Sequence, residues 1–298
     1  MTTRTAVEAA SSYYHANPGV RLFRFALGTS QRLWPALAVR AAARLFGTPL
    51  PPKWLQRRTP WEPGWQTEAW PFEDASVTVY SRPVAPHGPV ALLVHGWGGH
   101  ARQMLPLADA LAGHGLRPVL LEMPAHGRSA GSVSNLPQFS RAIEYAVARL
   151  RQDGHQVRVL AAHSLGANAA AHAAARGLPV DRLLLVAPPA SPREYTRHFA
   201  HVFGLSEATR AAMQRRIEAR EGILMPQFEP EAVGPRIRVP TLVVHDQADS
   251  INRFADGQAF TRAIRGAELL ATEGLGHRRI LRDAAVLGRA TLFATQAS

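Results

Sequence analysis

VRVLAAHSLGANAAAHAA, residues Val157 to Ala174, joins an apolar run to an alanine-rich segment through a histidine, a serine and a glycine. The order predicts a buried strand over Val157 to Ala161, a tight turn, and a helix over Leu165 to Arg176. Two readings of Ser164 follow. A serine after a strand is a common helix N-cap. A serine on a sharp strand-to-helix turn is also how a nucleophile is presented, with the helix N-terminus favouring developing negative charge. That turn needs small residues two before and two after the serine; Gly166 meets the condition, and Ala162 exceeds it by one methyl. The stretch alone leaves cap and nucleophile at even weight.

The rest of the chain supplies context. From Ala75 onward, short apolar runs alternate with helical stretches. Strands are predicted at Val77 to Ser81, Val90 to Val94, Pro118 to Leu121, Arg182 to Val186, Thr241 to Val244 and Glu268 to Ala271. Between them lie helical patterns at Ala101 to Gly113, Pro137 to Asp153, Ala255 to Ile264 and Asp283 to Thr295. Several runs are apolar at every position, as strands buried on both faces should be. This alternation implies an α/β fold with a mostly parallel sheet covered by helices. Between Val186 and Thr241 the rhythm lapses, with helical patterns at Arg193 to Phe203 and Glu207 to Arg220. An insertion there, over the carboxyl edge of the strands, suits a cap.

The 298 residues contain no cysteine, which removes disulfides, thiolate catalysis and cysteine-bound zinc. Covalent catalysis is left to serine, threonine, carboxylate or lysine. The formal charge of +12 is unevenly placed. Residues 1–60 hold nine basic side chains (Arg4, Arg21, Arg24, Arg32, Arg40, Arg44, Lys53, Arg57, Arg58) and one acid, Glu8. Their net +8 leaves +4 for the remaining 238 residues, so no nucleic-acid partner is expected. Apolar and arginine residues between Val20 and Phe46 are spaced as two short helices, separated near Pro35 with Gly28 as a further interruption. Such a basic amphipathic segment suits packing on its own domain, or peripheral contact with an anionic membrane through residues 1–60. The arginines interrupt any run long enough for a leader or a membrane span, and the expected location is cytoplasmic.

A nucleophilic serine needs a base, an orienting acid and oxyanion donors. "LLVHGWGGH" follows the Val90 strand, and a glycine-bearing loop there can aim the Trp97 N–H at the serine, with the Leu165 N–H as second donor. Among thirteen histidines, His277 in "ATEGLGHRRIL" follows the last strand in a glycine-flanked loop and is the preferred base. His95, His126 and His163 lie nearer the motif but suit structural hydrogen bonds. "TLVVHDQADSIN" offers Asp246 and Asp249; the latter, deeper in the loop, is preferred as the orienting acid.

With "HGWGG", "MPAHGRSAG", "AHSLGA", "DQAD" and "GLGHRRIL" in this order from about Val77 to Phe293, the chain resembles the bacterial serine α/β-hydrolase superfamily. It departs at Ala162 in the turn and at Glu122, where relatives often carry aspartate. The resemblance implies an α/β-hydrolase core over 75–188 and 236–298, a helical cap at 189–235, and a basic helical extension at 1–74. It implies a serine hydrolase cleaving small carboxylic esters through Ser164, Asp249 and His277, with no cofactor or metal. His95, Phe199, Phe203, Met213 and Phe228 are the expected substrate-pocket residues. A thioesterase or acyltransferase, and a non-catalytic ligand-binding or membrane-surface protein, are the competing readings.

Overall fold

A computed structural model describes residues 18–50, 53, 60–82 and 88–296. Its centre is an eight-stranded sheet: β1 (Gln66–Phe72), β2 (Ala75–Ser81), β3 (Val90–Val94), β4 (Arg117–Glu122), β5 (Val157–His163), β6 (Arg182–Val186), β7 (Thr241–Asp246) and β8 (Glu268–Thr272). The spatial order is β1-β2-β4-β3-β5-β6-β7-β8. β1 and β2 run antiparallel to their neighbours, and the other pairings are parallel. The fold is that of the α/β hydrolases.

Burial follows composition. β3 and β6, apolar along almost their whole length, are buried at every position, because helices cover both faces of the sheet. β8 is only half-buried and closes one edge.

The other edge differs from expectation. β1, inside the stretch read as a helical extension, is a sheet strand, with only Trp70 and Phe72 buried. Its sequence QTEAWPF has no alternating apolar face and contains Pro71, which an edge strand tolerates because one side of its backbone needs no ladder partner.

Among the described residues, four helices belong to one compact unit, built from residues 18–48 and 191–227. They are α1 (Pro18–Leu33), α2 (Pro35–Phe46), α6 (Pro192–Phe203) and α7 (Glu207–Glu221). Pro35 separates α1 from α2 as expected of a residue without an N–H, whereas Gly28 is carried within α1. Ala42, Met213, Ile217 and Met225 form this unit's core. Arg210 ties α7 to α6, its Nη1 donating to Thr196 Oγ1 at 2.8 Å and to Gln214 while its Nε and Nη2 meet Glu207.

The second unit, residues 49–190 and 228–298, contains the sheet and five longer helices. These are α3 (Leu105–Ala112), α4 (Leu136–Gln152), α5 (Leu165–Ala175), α8 (Phe254–Ala263) and α9 (Ala284–Thr295). Leu93, Leu120, Val159, Leu184 and Val244 of the sheet pack with Leu107, Leu111 and Phe293 of α3 and α9. Trp61 stacks on Tyr80 with ring centroids 3.6 Å apart.

Candidate active site

β5 ends on His163 and α5 begins on Leu165, so the chain reverses direction on one residue. Ser164 makes the turn with φ 54° and ψ −127°, and it accepts no capping bond from the helix. A non-glycine residue held there stores about 1–3 kcal/mol, and the surroundings enforce it. Its N–H donates to Val186 O at 2.9 Å. A plain N-cap does not have this geometry, since an N-cap side chain accepts from the first turn and Ser164 does not.

Two glycines show how tightly the turn is packed. A Cβ at Gly166 would lie 2.4 Å from His95 O, and one at Gly96 would lie 2.7 Å from Ser164 Cβ. Both positions exclude any side chain. Ala162 is different: it is buried in register between Val94 and Leu185, and its methyl is part of the core. Ala162→Gly should therefore leave turnover unchanged and lower stability by about 0.5–1 kcal/mol through strand entropy, read by urea unfolding. A rise in turnover of about tenfold, equivalent to ~1.4 kcal/mol, would show instead that the methyl distorts the turn.

The loop after β3 leans on this turn. A Cβ at Gly96 would also lie 3.2 Å from Ser164 Oγ, so the start of this loop comes close to the hydroxyl. The Leu165 N–H opens α5 and so has no acceptor within the helix. Gly98 N–H donates to His126 Nε2 at 3.0 Å, and His126 Nδ1 meets Pro124 O at 2.9 Å. The His126 pKa is pulled down to about 3, by burial above all. A neutral ring with its proton on Nδ1 satisfies both bonds.

Glu122 lies beneath. Its carboxylate accepts from Ala101 N–H at 2.9 Å and from Tyr80 Oη at 3.1 Å, and lies 3.3 Å from His95 Nε2. Burial opposes its ionisation most, but the His95 contact and these donors outweigh it and hold its pKa below the ordinary value. The longer acid at this position still organises the start of the HGWGG loop.

His277 stands in the helical turn Gly276–Arg279 after β8. Its Nδ1 lies 2.7 Å from Asp249 Oδ2 across a separation of 28 residues. Asp249 Oδ1 accepts from the N–H groups of Ile251 at 2.8 Å and Asn252 at 3.0 Å. Burial would raise the Asp249 pKa. Hydrogen bonds from His245 and His277, the His277 charge and the Ile251 N–H together hold it well below the usual carboxylate range. Asp246 does a different job. At the end of β7 it accepts from Thr272 Oγ1 at 2.7 Å and Leu275 N–H at 3.0 Å, pinning the loop that carries His277.

Two contributors, Asn252 and His245, were not legible in the sequence; His163 is a structural hydrogen-bond donor, as its neighbours suggested. Asn252 Nδ2 donates to Ala187 O at 2.7 Å and lies 3.4 Å from Ser164 Oγ, so one amide joins the strained Ala187 (φ 49°) to the serine. His245 Nε2 lies 3.2 Å from Asn252 O and 3.5 Å from Asp249 Oδ2. His163 Nε2 donates to His277 O at 2.9 Å, and the two rings are 4.6 Å apart. Burial first, then the charge of His277, lowers the His163 pKa to about 3, so its ring is a neutral donor. Among the described residues Ser164 and His277 share no direct hydrogen bond.

The expected pocket residues are placed otherwise. His95 is wholly buried, with Nδ1 2.7 Å from Gly96 O and Nε2 accepting from Met123 N–H at 3.1 Å, so it is a loop support. Phe228 is buried against the His172 ring at 4.1 Å. Met213 is wholly buried in the core of the helical unit, and Phe199 packs there on Phe46 at 5.2 Å and Phe203 at 4.7 Å. Burial in these cores removes His95, Phe228 and Met213 from substrate contact. Among the described residues, no cluster of three or more histidines and acids is arranged to hold a metal.

Comparison with known proteins now bears on this geometry. The family model described as serine aminopeptidase, S33, matches residues 85–233, half of the chain, including the Gly96 loop and the Ser164 turn. The chain belongs to this family of α/β hydrolases. No curated protein matches the sequence.

Solved α/β hydrolases share its fold at low identity. An esterase of Pyrococcus furiosus is 15% identical with a TM-score of 0.60, covering 79% of this chain and 95% of its own. The thioesterase domain of the curacin biosynthetic pathway is 20% identical with a TM-score of 0.55, covering 78% and 99%. A bacterial membrane phospholipase A is 17% identical with a TM-score of 0.59, covering 94% and 98%. Family and fold together support a hydrolase of the serine type.

Proposed function

We propose that this α/β hydrolase cleaves carboxylic esters of small molecules through an acyl-enzyme on Ser164. The observation that carries the reading is the part-buried Asp249–His277 pair at 2.7 Å, in the unit that holds Ser164 in a strained turn. Asp249 fixes the Nδ1–H tautomer of His277, leaving Nε2 as the base. As the serine oxygen bonds to the ester carbon, its proton passes to His277 Nε2 and the carbonyl electrons move to oxygen. The Trp97 and Leu165 N–H groups receive that charge, each worth roughly 100- to 1,000-fold in turnover. The carbon–oxygen bond to the alcohol then breaks, and His277 returns the proton to the departing alkoxide. Water repeats the sequence and frees the acid. Ser164 and His277 share no direct hydrogen bond; such bonds often tighten only with substrate bound.

The ester reading competes with thioester cleavage and with the peptide chemistry in the family description. A matched series of p-nitrophenyl esters, acyl thioesters and aminoacyl anilides separates them. The expected result is a kcat/KM for esters at least about tenfold above both others, a difference of ~1.4 kcal/mol at the transition state. A higher value on thioesters or anilides would replace the ester assignment.

A further inference from the structure

The helices α1 and α2 present a surface that the catalytic machinery does not use. Phe25 is 74% exposed, Leu33 and Trp34 60%, and Leu37 59%. Scattered exposed apolar side chains are ordinary, but four between residues 25 and 37, on two helices and the residue that joins them, are a clustering of the kind that marks an interaction site. At 100° per residue, Phe25, Thr29 and Leu33 share one face of α1, with Arg32 beside them. Leu37 and Ala41 share a face of α2 with Arg40 and Arg44. The buried Leu27, Ala38 and Ala42 point elsewhere, so the exposed residues are not the stripe that holds the helical unit together.

Charge selects the occupant. Residues 18–48 contain five arginines, Arg21, Arg24, Arg32, Arg40 and Arg44, and no acid. Arg24 is engaged within the unit, donating to Val202 O at 2.8 Å; Arg32, Arg40 and Arg44 are exposed. A second copy docking through this face by two-fold symmetry would set arginines against arginines. An anionic bilayer meets both halves of the pattern, apolar side chains entering the acyl boundary and arginines meeting lipid phosphates. Trp34 at the junction of the helices is the residue type that favours the headgroup level.

We propose that this face docks the enzyme peripherally on anionic membranes, with Phe25, Leu33, Trp34 and Leu37 inserted and Arg32, Arg40 and Arg44 on the headgroups. No helix among the described residues is long and apolar enough to cross a membrane, so the contact lies in the interface plane. The proposal does not depend on the ester chemistry.

Flotation of the full chain with vesicles of phosphatidylcholine, with and without phosphatidylglycerol, tests it. The wild type should float with the anionic vesicles only, and 0.5 M salt should release it. Each of Arg32→Gln, Arg40→Gln and Arg44→Gln should weaken binding by about fivefold. The double variant Trp34→Ser/Leu37→Ser should abolish flotation while retaining the wild-type melting temperature, because neither side chain is buried. Wild-type protein that does not float, or variants that float as well as wild type, would overturn the proposal. So would sedimentation showing a stable dimer that the double variant dissociates, which would assign the face to a second copy.

Discussion

Ser164→Ala is expected to lower ester turnover by roughly a million-fold and to leave the fold intact. The hydroxyl's one protein neighbour within hydrogen-bond distance among the described residues is Asn252 Nδ2 at 3.4 Å, and that amide keeps its stronger bond to Ala187 O. Nothing buried is left without a partner, and alanine meets the same backbone constraint at φ 54°. Stability measured by urea unfolding should therefore change by less than about 0.5 kcal/mol. A drop of only about tenfold would mean that another group carries the acyl transfer.

The second large effect belongs to Asp249→Asn, expected to reduce kcat by about 10,000-fold. An asparagine oxygen can still accept from the Ile251 and Asn252 N–H groups, so the loop keeps its shape. Its amide nitrogen would then face His277 Nδ1 as a donor. That forces the proton of a neutral His277 onto Nε2, where a base must have a free pair.

A stability readout accompanies this loss. The wild-type carboxylate is depressed in the folded state, so its stabilisation is present above the unfolded carboxyl pKa near 4 and disappears as pH falls below it. The stability gap between wild type and Asp249→Asn should therefore narrow from pH 6 toward pH 2. Activity within about tenfold of wild type would remove Asp249 from the proposed chemistry.

How much of this was legible in the sequence depends on whether the signal was local. The runs VALLV and RLLLV could be read as buried strands because every residue in them carries the message. β1 could not, since its exposed edge position relaxes the pattern and Pro71 argues against a strand. Ser164, Asp249 and His277 stood out as polar residues in short loops at strand ends. Asn252 and His245 did not, because their contacts join loops that sequence does not show as neighbours. Asn252 lies 88 positions from the serine it approaches. For Met213 the pocket expectation failed for a related reason. Periodic apolar residues in α6 and α7 look alike whether they serve a core or a ligand, and Met213 serves the core.

The most direct test of the central claim is the site of a fluorophosphonate adduct on the wild-type protein, mapped by peptide mass spectrometry. The account predicts a single adduct on Ser164, prevented by prior incubation with a turned-over ester. An adduct on another serine, or an active enzyme that takes no label, would contradict it.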